Sequence, residues 1–210
     1  MIDVCEESSA RILIPSKPYS WLRLRHVCHS WREVSLTFPK LSAHIWLTRP
    51  NCVEAMINRS GQTPLHVYSQ SYPLYAPGDE EALLRLVHPH FERIASASLV
   101  ISQDILDKCA LGTLVQSRYA TLLQTLTVYL YGERRDLSPI FAHFTFPALR
   151  DLTCMHARAL AGPGRVVAPQ LRKLRLCQCR LLLQQDLLPI LRNSTLSGAS
   201  RLIYQLALCD

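Results

Sequence analysis

Glycine is scarce in this chain of 210 residues, 7 against 13 prolines, an unfavourable balance for glycine-rich phosphate loops. Neither G-x-x-x-x-G-K-[ST] nor G-x-G-x-x-G occurs, and Gly162-Pro163-Gly164 reads as a turn. G-x-S-x-G is absent as well, and no catalytic trio assembles from the scattered Ser, His and Asp. Glu80-Glu81 reads as a solvated helix start rather than a pair of catalytic carboxylates. No enzyme and no cofactor is therefore expected. Eight cysteines in a chain of this length are too few for a disulfide scaffold. Met1–Glu7 carries Asp3, Glu6 and Glu7 without Lys or Arg, the opposite of a secretory leader. The longest uncharged stretch of the second half, Tyr119–Gly132, is interrupted by Thr and Gln and falls short of the roughly 18 to 20 apolar residues that span a bilayer. The expectation is a soluble intracellular protein, cytoplasmic or nuclear, with reduced thiols.

What the chain has is apolar residues, 49% against 19% charged, enough for a core and against general disorder. The net charge of +7 is unevenly placed. Residues 1–50 hold 7 basic and 4 acidic groups, residues 51–110 hold 4 and 7, and residues 111–210 hold 12 and 5. The C-terminal excess is nearly all Arg, spread singly or in pairs, which suits a basic face on a folded unit better than a charged tail.

From Tyr19 onward Leu22, Leu24, Val27, Cys28, Trp31 and Val34 recur at helical intervals and predict one apolar stripe. Thr37, Phe38 and Pro39 end it, and Leu41–Leu47 forms a second short apolar piece. Asn51 is placed to cap a helix over Cys52–Arg59 that stops at Gly61. Pro64–Tyr68 alternates as a strand, Leu65 and Val67 inward, His66 and Tyr68 outward. Glu80–Val87 is predicted as a helix, and Gln185–Arg192 as another.

The second half carries an internal repeat. Leu171-Arg172-Lys173-Leu174-Arg175-Leu176-Cys177-Gln178-Cys179-Arg180-Leu181 fits the pattern L-x-x-L-x-L-x-x-C-x-L. Leu149, Leu152 and Cys154 form an earlier copy, Leu123, Leu126 and Val128 another, and Ile94, Ala97 and Leu99 a weaker one. Ile203, Leu206 and Leu208 begin a copy that the chain end cuts off. This is the leucine-rich-repeat pattern at irregular spacing, about 22 to 32 residues. Stacked copies would turn Thr125, Thr127 and Tyr129, then Asp151, Thr153 and Met155, then Lys173, Arg175 and Cys177 to one strand surface. That polar-to-basic strip suits an acidic peptide, or is a plain solvent face.

Leu24-Arg25-His26-Val27-Cys28-His29-Ser30-Trp31-Arg32-Glu33-Val34 resembles the second half of an F-box, and Phe38-Pro39-Lys40-Leu41-Ser42-Ala43-His44-Ile45 resembles its closing helix. The stretch from Trp46-Leu47 to Thr63-Pro64-Leu65 is similar to the segment that fungal F-box proteins carry between the F-box and an irregular leucine-rich region. The resemblance covers about residues 19–68. It implies a small helical module that docks on the Skp-type adaptor of an SCF ubiquitin ligase, with the repeats choosing an unidentified substrate protein. One element departs from the family pattern: the opening helix with its Leu-Pro-x-Glu start is missing from Met1–Ser20, where Ile12-Leu13-Ile14-Pro15 is the apolar cluster. The chain is thus expected either to lack adaptor affinity or to be a shortened product.

The expected fold class is α+β or an α/β solenoid: a short N-terminal helical F-box-like module followed by an irregular leucine-rich-repeat array. Its divisions are 1–18 as a non-matching segment, 19–50 as the module, 51–93 as a connecting helix-strand-helix region, and 94–210 as repeats. Val27, Trp31, Val34 and Trp46 are expected to form the module core, and Leu24, Cys28, Phe38, Pro39 and Leu41 to contact the adaptor. His26, Cys28 and His29, the pair Cys154 and His156, and the pair Cys177 and Cys179 lack a second pair at zinc-finger spacing, so no metal site is expected. A repeat fragment without ligase contact is the alternative. A basic nucleic-acid-binding array is a third reading, without a stacking motif or recognition module to support it.

Overall fold

In the computed structural model the described residues are 19–69, 79–112, 118–132, 136–137, 144–158 and 168–179. The chain enters through a 3-10 helix, Ser20–His26, and helix α1, His29–Thr37, followed by the single turn α2, Pro39–Ser42. Strand β1, His44–Leu47, comes next, where Ile45 and Leu47 alternate inward with His44 and Trp46 outward. Helix α3, Pro50–Ser60, has Pro50 in its first turn and ends at Gly61, whose φ of 54 lies in the left-handed region open to glycine. Val53, Met56, Ile57 and Ser60 are its buried residues, spaced three and four apart on one face.

Strand β2, Leu65–Ser69, alternates as its sequence predicts, with Leu65 and Val67 buried. Helix α4 covers Asp79–Val87, a 3-10 segment His88–Arg93 leads into strand β3, Ile94–Ser102, and helix α5 spans Gln103–Gly112. Arg93 ties this region together: one guanidinium nitrogen donates to the Ser60 hydroxyl and the Thr63 carbonyl, both at 3.0 Å. The remaining strands are β4, Arg118–Tyr119, β5, Thr125–Tyr131, β6, Phe144–Thr145, β7, Asp151–Met155, and β8, Lys173–Cys177. β4 and β6 form a two-stranded parallel sheet of their own.

The main sheet has six strands in the order β1-β2-β3-β5-β7-β8, every pair parallel. The periodic leucines become lateral neighbours: Leu126, Leu152 and Leu174 stand in register, as do Val128, Cys154 and Leu176. All six are buried. At roughly 1.5 to 3 kcal/mol for a fully buried aliphatic side chain, this row is a main source of cohesion. Each of β5, β7 and β8 is preceded by the same tight turn, closed by Leu123 N–H to the Ala120 carbonyl, Leu149 to Phe146 and Leu171 to Ala168. α3 and α4 lie together against β1, and α5 packs on α4 and on β3.

These findings correct the expected fold class. The described residues form an α/β structure, a six-stranded all-parallel sheet with a few short helices, and not a helical F-box-like module followed by a leucine-rich-repeat solenoid. The first strand already begins at His44, because Ile45, Trp46 and Leu47 carry a two-residue alternation where a closing helix was expected. The single helical stripe expected from Tyr19 is also broken. The chain leaves the 3-10 helix after His26 and restarts at His29, and the three-residue turn before the break rotates the stripe off one face.

Candidate binding face

Successive residues of a strand point to opposite sides, so the buried leucines define a second side of the sheet that carries their neighbours. Parallel sheets usually bury both sides under apolar residues. Here the second side is mainly polar in its first two rows, while its third, Val100, Tyr129, Met155 and Cys177, is largely apolar. Its first row reads His44, His66, Ser96, Thr125, Asp151 and Lys173 across the six strands, and its second row Trp46, Tyr68, Ser98, Thr127, Thr153 and Arg175. His44 and Arg175 are exposed and the others half-buried.

At the β1–β2 end the face is a wall of rings. His44 stacks on His66 at 4.7 Å between centroids with planes 12° apart, and Trp46 stacks on Tyr68 at 4.6 Å and 21°. Parallel register sets each pair side by side, which lets the flat rings lie face to face. Burial lowers the His66 pKa, and the adjacent His44 lowers it further; burial pushes the Tyr68 phenol up. The backbone of Trp46 is held from outside by Tyr19, whose hydroxyl accepts from its N–H and donates to its carbonyl.

The middle of the face is a floor of short hydroxyl side chains, Ser96, Ser98, Thr125, Thr127 and Thr153. None of these five hydroxyls bonds to another group among the described residues. By contrast Ser60 and Ser69 are satisfied, Ser60 donating to the Ile57 carbonyl at 2.6 Å and Ser69 bridging to the Val100 backbone. At the far end stand Lys173 and Arg175, with Asp151 lateral to Lys173 and Thr153 lateral to Arg175. Among the described residues neither base is in an ion pair. In the third row Tyr129 meets His156 edge-on at 4.8 Å, beside Met155 and Cys177.

The strip named from the sequence, Thr125, Thr127, Tyr129, Asp151, Thr153, Met155, Lys173 and Arg175, lies together on this face. His44, Trp46, His66, Tyr68 and the two serines belong to it too, which the repeat pattern does not indicate. The outward reading of His66 and Tyr68 is the available signal, but only register shows what they stand beside. Cys154 is fully buried on the opposite side, and burial raises its thiol well above the usual range. The Cys179 thiol donates to the Cys154 and Cys177 carbonyls and is pushed up to about 11, mainly by burial. No cluster of three metal-ligating side chains occurs among the described residues. None of the described helices is long and apolar enough to cross a membrane.

The residues expected at an adaptor contact lie apart from this face. Leu24 is in the 3-10 helix, Cys28, Phe38 and Pro39 are exposed, and Leu41 is half-buried. Val27, Trp31 and Val34, expected in a module core, are surface residues with exposures of 67%, 51% and 55%, and Phe38 is at 48%. The 3-10 helix and α1 pack on each other, but Val27, Trp31 and Val34 are not in that contact to any depth. Trp46 is half-buried in the ring wall instead. The helix expected over Gln185–Arg192, the copy at Ile203–Leu208 and the cluster Ile12–Pro15 lie outside the described residues. No family model, no curated protein and no solved structure matches the chain.

Proposed function

We propose that the chain is a non-enzymatic interaction adaptor of the F-box type, which joins the Skp-type adaptor of an SCF ubiquitin ligase to a target protein in the cytoplasm or nucleus. The observation that carries this reading is a concentration of exposed large apolar side chains, Val27, Trp31, Val34 and Phe38, on the segment whose sequence resembles an F-box. Water contact at such groups is costly, and several exposed large apolar side chains on one short segment suit a docking surface. Two of the four, Val27 and Trp31, stand with Cys28 in the resembling V-C-x-x-W-R motif. The polar sheet face supplies a separate surface for the target, so both partners can be held at once.

The test is retention of the purified chain on immobilised Skp-type adaptor, with Val27→Asp and Phe38→Ala beside it. The parent chain is retained and both variants are lost. No retention of the parent chain overturns the ligase reading. The polar face favours a second reading in that event, an interaction module that works without a ligase.

A further inference from the structure

We infer that the polar sheet face takes an extended acidic peptide segment, with its carboxylates at Arg175 and Lys173 and an apolar side chain about six residues away against Tyr68. The inference deepens the reading of this face as the target surface and rests on it. Three observations point to this occupant. The five hydroxyls of the floor have no protein partner among the described residues, and a peptide backbone offers N–H and C=O groups along its whole length to replace the water they would otherwise hold. Short side chains at Ser96, Ser98, Thr125, Thr127 and Thr153 also leave a trough, bounded by rings on one side and by long basic chains on the other. Tyr68 is stacked on Trp46 on one side, while its lateral neighbour on the other is Ser98, so its inner ring face looks over the trough.

The charge at the far end fixes the sign of the partner. Lys173 and Arg175 are two residues apart on one strand, about 6.6 Å, and Arg175 is exposed. Arg in this setting favours the planar fork of a carboxylate. Two cations are too few to follow a nucleic-acid backbone, which gains affinity by neutralising many phosphates. From β8 to β2 there are four strand spacings, about 19 Å, which an extended chain covers in about six residues. Asp151 stands in the way of an acidic ligand, lateral to Lys173, and weakens the contact it borders.

The probe is a fluorescein-labelled peptide, Asp-Asp-Ser-Gly-Ser-Gly-Ser-Leu, measured by fluorescence anisotropy on the full chain. It is compared with a version whose Leu comes two residues after the acids, with a Lys-Lys version, and with a DNA duplex. The long peptide binds about tenfold more tightly than the short one, and Arg175→Glu weakens it about tenfold, whereas charge reversal at Arg59 on the helix side changes little. Asp151→Asn tightens binding several-fold, an effect that damage to the fold cannot produce. Equal affinity for both spacings, equal loss with Arg59→Glu, preference for the duplex, or no binding of any peptide each overturns the inference. The ligase reading is scored separately, because Phe38→Ala abolishes adaptor retention and leaves the peptide affinity unchanged.

Discussion

The phenolic oxygen of Tyr19 meets both outward backbone groups of Trp46, accepting from the N–H at 2.7 Å and donating to the carbonyl at 2.9 Å. β1 is one of the two edge strands of its sheet, and an edge strand presents just such unpaired groups to other chains. Tyr19 reaches this position with φ of 65, a left-handed conformation that costs a non-glycine residue about 1 to 2 kcal/mol. The two hydrogen bonds, at about 0.5 to 1.5 kcal/mol each, offset it. Tyr19→Phe is expected to lower the free energy of unfolding by about 1 to 3 kcal/mol, read by urea titration. Hydrogen exchange at the Trp46 amide should rise with it. An unchanged rate at that amide would show that the hydroxyl does not cap the edge.

The two sides of the sheet should respond very differently to truncation. Leu152 and Phe146 are at 0% and 1% exposure on the core side. Leu152→Ala is expected to cost about 2 to 5 kcal/mol and Phe146→Ala about 3 to 5, through lost transfer energy and the cavity left behind. Thr153→Ala, one residue along from Leu152 but on the polar face, should stay within about 0.5 kcal/mol of the parent. Denaturant midpoints at constant slope measure all three. A comparable loss for Thr153→Ala would mean that the polar face is structural after all.

How much of this arrangement is legible in the sequence depends on which interactions are local. Alternation is local, so Leu65 and Val67 read as inward and His66 and Tyr68 as outward whatever strands lie beside them. The spacing of Leu123, Leu149 and Leu171 is legible for the same reason, since each closes the same turn two residues before its strand. The stack of His44 on His66 is not, because it depends on the register of β1 against β2 across an intervening helix. The stripe from Leu22 to Val34 misleads, because periodicity assumes an unbroken helix and says nothing of a break at Val27 and Cys28. The helix start misleads more mildly: Asn51 reads as a cap, yet Pro50 already occupies the first turn and Arg49 is the capping residue.

The stacked histidines set a pH dependence. Burial and the neighbouring His44 both lower the His66 pKa from the ordinary imidazole value of about 6.5, so the unfolded chain binds a proton more readily than the folded one. Burial and Arg93 act on His90 in the same direction. Stability therefore falls as the pH drops below about 6.5 and levels off once the lowered folded-state values are passed. Histidine ring signals followed by NMR should show His66 titrating below the ordinary value. In His44→Gln it should move only part of the way back, because desolvation is the larger cause. A His66 pKa at or above the ordinary value would remove the basis for this dependence.

Thiol chemistry gives an independent reading of the same fold. Cys28 is exposed, Cys154 is completely buried beneath the sheet, and Cys179 is half-buried with its thiol bonded to the carbonyl of Cys154 at 3.3 Å. The thiolate is the reactive form, and desolvation disfavours it at both inner sites. Cys154 lies well above the ordinary thiol range and Cys179 at about 11, so near pH 8 the thiolate fraction at each is very small. Of these three, iodoacetamide at that pH is expected to modify Cys28 first, Cys179 far more slowly, and Cys154 only when the chain unfolds. Mass-spectrometric mapping over a time course gives the order, and urea added in steps should bring Cys154 into reaction at the global unfolding midpoint. Modification of Cys154 well before that midpoint would show that β7 opens locally, and the central row of buried residues from Val128 to Leu176 would then not be the most stable part of the sheet.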